Sequence, residues 1–375
     1  MKVVVDRNIP FIQGVLEKYA EVVYLEGREI SRTDVLNADA LIIRTRTKCN
    51  RHLLEGTAVR FIASATIGYD HIDTAFCHAN NIFWTNAAGC NSSSVQQYIA
   101  AALFHLAEEL KFELSQKTIG IVGVGNVGNK VARLCTALGM HVLLNDPPRE
   151  RQEGSKDFVS LDTIVEDAEI VTFHVPLNMG GDDRTFHLVD EKLLLKFRKS
   201  QILINSSRGE VVDSEALKAS LRGKMLAECV LDVWEREPGI DTQLLGLVEI
   251  GTPHIAGYSA DGKANGTSMS VQAFSRFFGL DLNDWYPEKV PLPASTVLEA
   301  DCRNVSEQNV IASLIQRTYD ILADDARLRM SPQTFEKQRG EYPLRREFPT
   351  YTVKLLNAHG GLTSIVQAMG FKTLH

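Results

Sequence analysis

The sequence is poor in the residue patterns that build metal or disulfide frameworks. Its six cysteines, Cys49, Cys77, Cys90, Cys135, Cys229 and Cys302, lie far apart and include no Cys-x-x-Cys pair. Neither a zinc site nor a disulfide scaffold is therefore expected, and the thiols read as reduced cytoplasmic residues. The ten histidines include no His-Glu-x-x-His and no His/Cys cluster, which argues against metal catalysis. No stretch approaches the ~18 apolar residues of a membrane span, and Met1–Arg7, charged within its first turn, lacks the apolar run of a signal peptide. Basic charge is not in excess. Lys and Arg total 40 against 47 Asp and Glu, a net charge of −7, which argues against a nucleic-acid or anionic-membrane platform. Internal repeats and low-complexity tracts are missing too.

What is present is a globular composition, with 44% hydrophobic and 23% charged residues in 375. At about 150 residues per domain this predicts two or three domains. The first part alternates short apolar runs (3–5, 20–25, 40–44, 59–63 and 82–85) with helical stretches, the mark of βαβ units and a parallel sheet. From Ser92 to Leu114 the positions Val95, Tyr98, Ile99, Ala102, Leu103, Leu106 and Leu110 fall at helical spacing. That helix connects to a second α/β block, whose six expected strands (118–122, 141–145, 170–174, 201–205, 227–231 and 248–251) fit a doubly wound dinucleotide domain. A helix over Gly266–Leu280 leads to a linker containing Pro287, Pro291 and Pro293. The last ~80 residues carry a predicted helix over Ser306–Ala323, a mixed stretch and an apolar segment, Leu362–Met369.

Gly123-Val-Gly125-Asn126-Val127-Gly128 is a Gly-x-Gly-x-x-Gly run after a strand and before a helix. The three glycines suit a tight turn, approach of backbone to pyrophosphate, and close packing of helix on strand. The amides of Asn126 and Val127 stand at a helix N-terminus, which favours an anion. Eighteen residues past Gly128, the next strand ends in Asp146. An acid there grips ribose hydroxyls and repels the extra phosphate of NADP, so NAD is the expected cofactor. The alternative role for Asp146 is to cap the Asp-Pro-Pro turn. Arg149 and Arg151 lie close enough to serve a 2′-phosphate, but read better as solvated charges.

Three further stretches each leave the carboxyl end of an expected strand: Ser206-Ser207-Arg208-Gly-Glu-Val-Val-Asp213, Leu231-Asp232-Val-Trp-Glu-Arg-Glu237-Pro238, and Thr252-Pro-His254-Ile-Ala-Gly257. Oxidising a 2-hydroxy acid moves a hydride from C2 and a proton from the hydroxyl. A His suits the proton, a carboxylate on its other nitrogen fixes the tautomer, and an Arg holds the substrate carboxylate by a two-point bond. Separately each residue has a structural reading, as packed loop, solvated turn or strand cap. Their combination downstream of a nucleotide fingerprint favours chemistry.

Arg-Gly-x-x-Val-Asp, Leu-Asp-Val-x-x-x-Glu-Pro, Pro-His-Ile-Ala-Gly and His174-Val175-Pro-Leu177, in this order and spacing, resemble the D-isomer-specific 2-hydroxyacid dehydrogenases over roughly residues 40–280. The resemblance implies Arg208, Glu237 and His254 as the catalytic trio, with His254 as acid/base. It implies cofactor contacts from Ser206, Ser207, Arg208, Asp232 and Gly257, and from the backbone alone at Val175. It also implies two Rossmann-like parallel-sheet domains: a discontinuous substrate domain over 1–92 and 257–284, and an NAD-binding domain over 93–256. Residues 285–375 form a small C-terminal α+β domain, read as a dimerisation domain.

Ala65-Thr66-Ile-Gly-Tyr-Asp70-His71, Asn86-Ala-Ala-Gly89-Cys90-Asn91 and Gly257-Tyr258-Ser259-Ala-Asp-Gly262 are similar to a branch that oxidises a phosphorylated four-carbon acid on the way to pyridoxal phosphate. That likeness implies substrate contacts at Thr45, Thr66 and Tyr258. Thr45 stands where Ser is common, Val175 where Thr is usual, and the turn Met179–Asp183 departs from the usual Thr-rich one. A substrate phosphate needs a local basic site, and Arg44, after an expected strand, is the first candidate. Arg345-Arg346 is the second, the alternative for both being a solvated basic surface. On the helix from Ser306, Val310, Ile311, Leu314, Ile315, Tyr319 and Leu322 form an apolar stripe that predicts a homodimer, the alternative being that it packs against the chain's own catalytic domains. Two rivals stay open: a dehydrogenase for another acid such as 3-phosphoglycerate, whose regulatory module of alternating strands and helices this tail does not clearly show, and a non-catalytic NAD-sensing binding protein.

Overall fold

The computed structural model describes every residue except 155, 359 and 375. The chain divides into two compact units, Met1–Asn91 with Ser259–Pro291, and Ser92–Tyr258 with Leu292–His375.

The first unit is built on a parallel sheet of β1 (Lys2–Asp6), β2 (Glu21–Leu25), β3 (Ala40–Ile43), β4 (Phe61–Ser64) and β5 (Phe83–Asn86), in the order β2-β1-β3-β4-β5. Strands β3 and β4 are buried at every position, because helices cover both faces, and so read as continuous apolar runs. Leu53, Leu54 and Cys77 pack on one face, Val271 and Phe274 of the helix Ala260–Phe278 on the other. That helix starts at Ser259, whose hydroxyl accepts from the amide of Gly262.

The second unit carries β6 (Thr118–Val122), β7 (His141–Asn145), β8 (Ile170–Phe173), β9 (Ile202–Asn205), β10 (Glu228–Leu231) and β11 (Ile250–Gly251), all parallel, in the order β11-β10-β9-β8-β6-β7. Strand order reverses beside β6, which places a ligand crevice at the carboxyl ends there. The expected strands match at β6 and β7 and differ by one or two residues at one end of the others. The helix Ser92–Glu109, expected to reach Leu114, stops earlier, and a 3-10 turn follows at Leu114–Gln116.

The C-terminal segment differs more from its sequence reading. It holds a third parallel sheet, β12 (Val297–Asp301), β13 (Thr352–Leu356) and β14 (Lys372–Leu374), with helices in both connections. The tail does alternate strands and helices. Strand β12 escapes detection because Glu299 and Asp301 interrupt a half-exposed run. The single helix expected over Ser306–Ala323 is two, Glu307–Thr318 and Ile321–Met330, because Asp320 caps a fresh start by accepting from the amide of Ala323.

The apolar stripe does not face outward. Val310, Ile311, Leu314, Ile315 and Tyr319 are buried within this chain, in one cluster with Tyr98, Ala102 and Leu106 of Ser92–Glu109; only Leu322 is exposed. The stripe therefore gives no argument for a dimer. On the far side of the sheet, Ile321–Met330 covers the edge at β11. The amide of Gly251 donates to Asp325 Oδ1 (2.7 Å), and Arg329 donates to the carbonyls of Leu245 (2.7 Å) and Val248 (2.8 Å). An edge strand presents unpaired backbone groups; this helix takes the Gly251 amide of β11 and two carbonyls of the segment leading into it.

Leu314 is fully buried in this intrachain contact, so Leu314→Ala should lower unfolding free energy by about 2–5 kcal/mol in urea titrations. A cost near zero would show that the contact is not formed in solution.

Candidate active site

Local sequence shapes the nucleotide end. A Cβ on Gly128 would lie 2.0 Å from the carbonyl oxygen of Gly123, so only glycine lets the helix Asn126–Ala137 pack this tightly on the preceding turn. That helix has Gly125 as N-cap and no side chain capping it, and a Cβ on Gly125 would meet nothing within 4 Å. Open space thus adjoins the positive end of a helix dipole.

Asp146, after β7, accepts from the amide of Val124 (2.8 Å) in the glycine turn and from that of Arg149 (3.1 Å). Capping and facing the nucleotide turn are one placement, and each carboxylate oxygen keeps capacity for a further donor. Arg149 and Arg151 are not merely solvated. Arg149 binds the carbonyl of Val124 (2.6 Å) and pairs with Glu153, and Arg151 pairs with Asp183 (2.6 Å). This gives the Met179–Asp183 turn a structural role and leaves Asp146 as the group suited to a ribose. Val175 follows β8 beside the glycine turn. His174 Nδ1 is 3.5 Å from Ser206 Oγ, and burial pushes the His174 imidazole down to about 3, keeping it neutral. These residues fit a dinucleotide without a 2′-phosphate.

Beyond β9, Ser207 is buried and its hydroxyl donates to Asn205 Oδ1 (2.8 Å), while Arg208 Nη1 donates to the Ser207 carbonyl (2.8 Å). Gly209 allows the loop after β10 to press against this turn: a Cβ there would stand 2.0 Å from the Trp234 carbonyl carbon. That close approach brings Arg208 beside the loop bearing Glu237. His254 Nδ1 lies 2.7 Å from Glu237 Oε2, the other oxygen of which accepts from the Trp234 amide (3.0 Å). Burial opposes charge on Glu237, but His254, the Trp234 amide and Arg339 outweigh it and hold the carboxyl below its usual range. With Nδ1 on the carboxylate, Nε2 is the nitrogen left for a substrate proton.

Asp232 is buried, and its carboxylate accepts from Thr252 Oγ1 (2.6 Å) and from the amides of Ile255 (2.7 Å) and Ala256 (2.9 Å). It fastens the loop that carries His254, Gly257 and Tyr258, a role sequence reasoning missed. The Tyr258 ring meets Tyr342 edge-on at 5.8 Å, and the Arg339 guanidinium lies 5.5 Å from it. Arg345 and Arg346 are buried rather than surface charges.

Arg44, Thr45 and Thr66 belong to the first unit. Arg44 follows β3 and donates to the Asn8 carbonyl (3.2 Å) after β1, at the point where strand order reverses. Thr45 is exposed. Thr66 Oγ1 lies 2.7 Å from Ser64 Oγ, which is 3.2 Å from His71 Nε2. All three lie at the carboxyl edge of their sheet.

Comparison with known proteins matches residues 91–256 to the family described as D-isomer specific 2-hydroxyacid dehydrogenase, NAD binding domain, and residues 292–370 to a domain of unknown function. The erythronate-4-phosphate dehydrogenase of Bacteroides fragilis is 50% identical over 354 residues, 94% of this chain and 99% of its own. The chain belongs to the D-isomer-specific 2-hydroxyacid dehydrogenases, in the erythronate-4-phosphate dehydrogenase family. The Proteus mirabilis relative of the same name is 40% identical over 378 residues, covering 100% of each chain. A D-lactate dehydrogenase from Aquifex aeolicus, solved with NAD and lactic acid, shares the fold. Its TM-score is 0.59 at 22% identity, over 74% of this chain and 96% of that one. Membership makes this chain an NAD-dependent oxidoreductase acting on CH–OH groups.

The lowered Glu237 pKa has a consequence for stability. The folded state binds fewer protons than the unfolded one between the two pKa values, so stability rises with pH across that window. The stabilisation of the parent over Glu237→Gln should be complete above the unfolded carboxylate value, about 4.3, and shrink as pH falls through the lower folded value. Urea midpoints of both proteins from about pH 3.5 to 7 check this; a difference that grows on acidification contradicts it.

Proposed function

We infer that this chain oxidises 4-phospho-D-erythronate at C2 to (R)-3-hydroxy-2-oxo-4-phosphooxybutanoate, a step toward pyridoxal 5′-phosphate. The hydrogen-bonded His254–Glu237 pair, on the loops after β11 and β10, carries the reading; the relatives' names support the substrate. NAD, when bound, supplies the hydride acceptor. His254 takes the hydroxyl proton at Nε2, Glu237 stabilises the imidazolium that forms, and Arg208 orients the substrate carboxylate and polarises the reacting oxygen. Cofactor contacts are assigned to Gly123, Gly125, Asn126, Val127, Gly128, Asp146, Val175, Ser206, Ser207, Asp232 and Gly257. The first unit is the substrate unit, and substrate contacts are assigned to Arg44, Thr45, Thr66 and Tyr258.

A cytoplasmic site and a homodimer complete the proposal. Six buried free thiols support a reducing compartment. Strands β12 and β14, at the edges of a three-stranded sheet with Val297 and Leu374 exposed, support pairing with a second chain. Among the described residues no helix is long and apolar enough to cross a membrane.

His254→Ala should cost ~10²–10⁴ in rate. NADH absorbance with phosphorylated and plain 2-hydroxy acids measures this. Near-normal turnover in the variant would remove His254 from the mechanism. The same assay tests the phosphate site. Arg44→Ala should raise KM for the phosphorylated acid far more than for its unphosphorylated analogue, and equal losses would place the phosphate grip elsewhere.

A further inference from the structure

The C-terminal segment touches the His254 loop at both ends. Before the loop, Asp325 takes the amide of Gly251 (2.7 Å). After it, Tyr342 and Arg339 pack on the Tyr258 ring. Between them, Arg345 reaches in from residues 345–347, which are fastened along the helix Ser92–Glu109. There Gln97 Nε2 donates to the Arg346 carbonyl (3.0 Å) and Ser94 Oγ to Glu347 Oε1 (2.7 Å). Arg345 is 4% exposed, its guanidinium lies 4.4 Å from the Tyr319 ring, and Nη2 alone makes its backbone bonds, to the carbonyls of Ser94 (3.2 Å) and Ala256. Nε and Nη1 are buried and make no hydrogen bond of good geometry, the Tyr342 side chain being the polar group that interacts with the guanidinium. A buried guanidinium left half unsatisfied is costly, and an aliphatic side chain would fill the space without that cost. What it accomplishes is local. Asp232 holds the amide of Ala256 and Arg345 holds its carbonyl, so the peptide groups on both sides of this residue are fixed. Ala256 lies two residues after His254 and two before Tyr258.

We propose that the C-terminal segment is a clamp on the His254–Tyr258 loop, and that Arg345 is its positioning residue. The proposal rests on His254 as the acid/base for its effect on rate, but not for its effect on the loop. Displacing a reacting group by about 1 Å costs about 10²-fold in rate, so losing the Ala256 carbonyl bond should lower kcat with little change in cofactor affinity.

The test compares Arg345→Met and Arg345→Lys in the full-length protein. Measurements are kcat, KM for the acid, NADH affinity by fluorescence, thermal midpoint, and hydrogen exchange of the amides of residues 255–258. The Met variant is expected to lose about 10²-fold in kcat, to keep NADH affinity, and to exchange faster at 255–258. Because one nitrogen makes both bonds, Lys should restore kcat and protection together even where the thermal midpoint stays low. A merely structural arginine would not give that rescue. If the Met variant is isolated unfolded, Arg345→Lys decides. Protection and kcat that both stay parental sustain the clamp, and loss of either or of both overturns it. A folded Met variant with parental kcat, or with unaltered exchange, also overturns it. Failure of the His254 reading is distinguishable: His254→Ala would stay active, whereas exchange at 255–258 would still respond to Arg345.

Discussion

The arrangement of the second unit depends on one buried carboxylate. Strands β10 and β11 pair through only two residues each, Val230 with Ile250 and Leu231 with Gly251, too short a ladder to fix the loop that follows. Asp232 does this instead, taking a hydroxyl and two amides of that loop while its own carbonyl accepts from the His254 amide (2.7 Å). Burial pushes its pKa up, against the pull of His254 and the three donors. A buried anion is tolerable only when hydrogen-bonded in this way. The fixing has a purpose at His254, whose φ is +56°, in the left-handed region that L residues seldom occupy. Such a backbone persists only where its surroundings over-determine it. The Asp232 contacts and the Thr252 hydroxyl bonded to Tyr98 (2.8 Å) supply that constraint.

The same dependence explains what could be read in advance. The glycine turn, Asp146 and the Arg208, Glu237 and His254 stretches were legible because each is a local device. The glycines answer to contacts within a few residues, and Arg208, Glu237 and His254 follow strand ends marked by buried apolar runs. Arg345 was not legible in its real role. Whether an arginine is solvated or buried depends on which element covers it, and nothing in Leu344-Arg345-Arg346-Glu347 announces the Ala256 carbonyl. The apolar stripe on Glu307–Thr318 had the same ambiguity. A stripe states that something covers it, and here the cover is Ser92–Glu109 of the same chain.

Charge placement shows how an acidic protein handles anionic ligands. Arg149 and Arg151, on the helix after Asp146, pair with Glu153 and Asp183. A 2′-phosphate at this end would meet the Asp146 carboxylate, whereas ribose hydroxyls would find acceptor capacity there.

The proline-rich linker marks a covalent boundary, but the packing that follows joins the C-terminal segment to the nucleotide fold. About 80 residues are near the lower limit for a self-sufficient core. This segment meets that limit by sharing cores on both faces of the larger sheet. Val310, Leu314, Phe348 and Val353 join Ile119, Ile204 and Val230 in one cluster, while Leu328 and Phe335 join Trp234 and Leu244 in the other. Trp234 in turn donates its indole N–H to the Thr252 carbonyl (2.9 Å) and its amide to Glu237. The apolar surface that stabilises the segment is thus continuous with the side chains that seat the Glu237 and His254 loops. Elements that share a core lose their packing together, so loosening the segment withdraws support from those loops before any strand of the nucleotide sheet need separate.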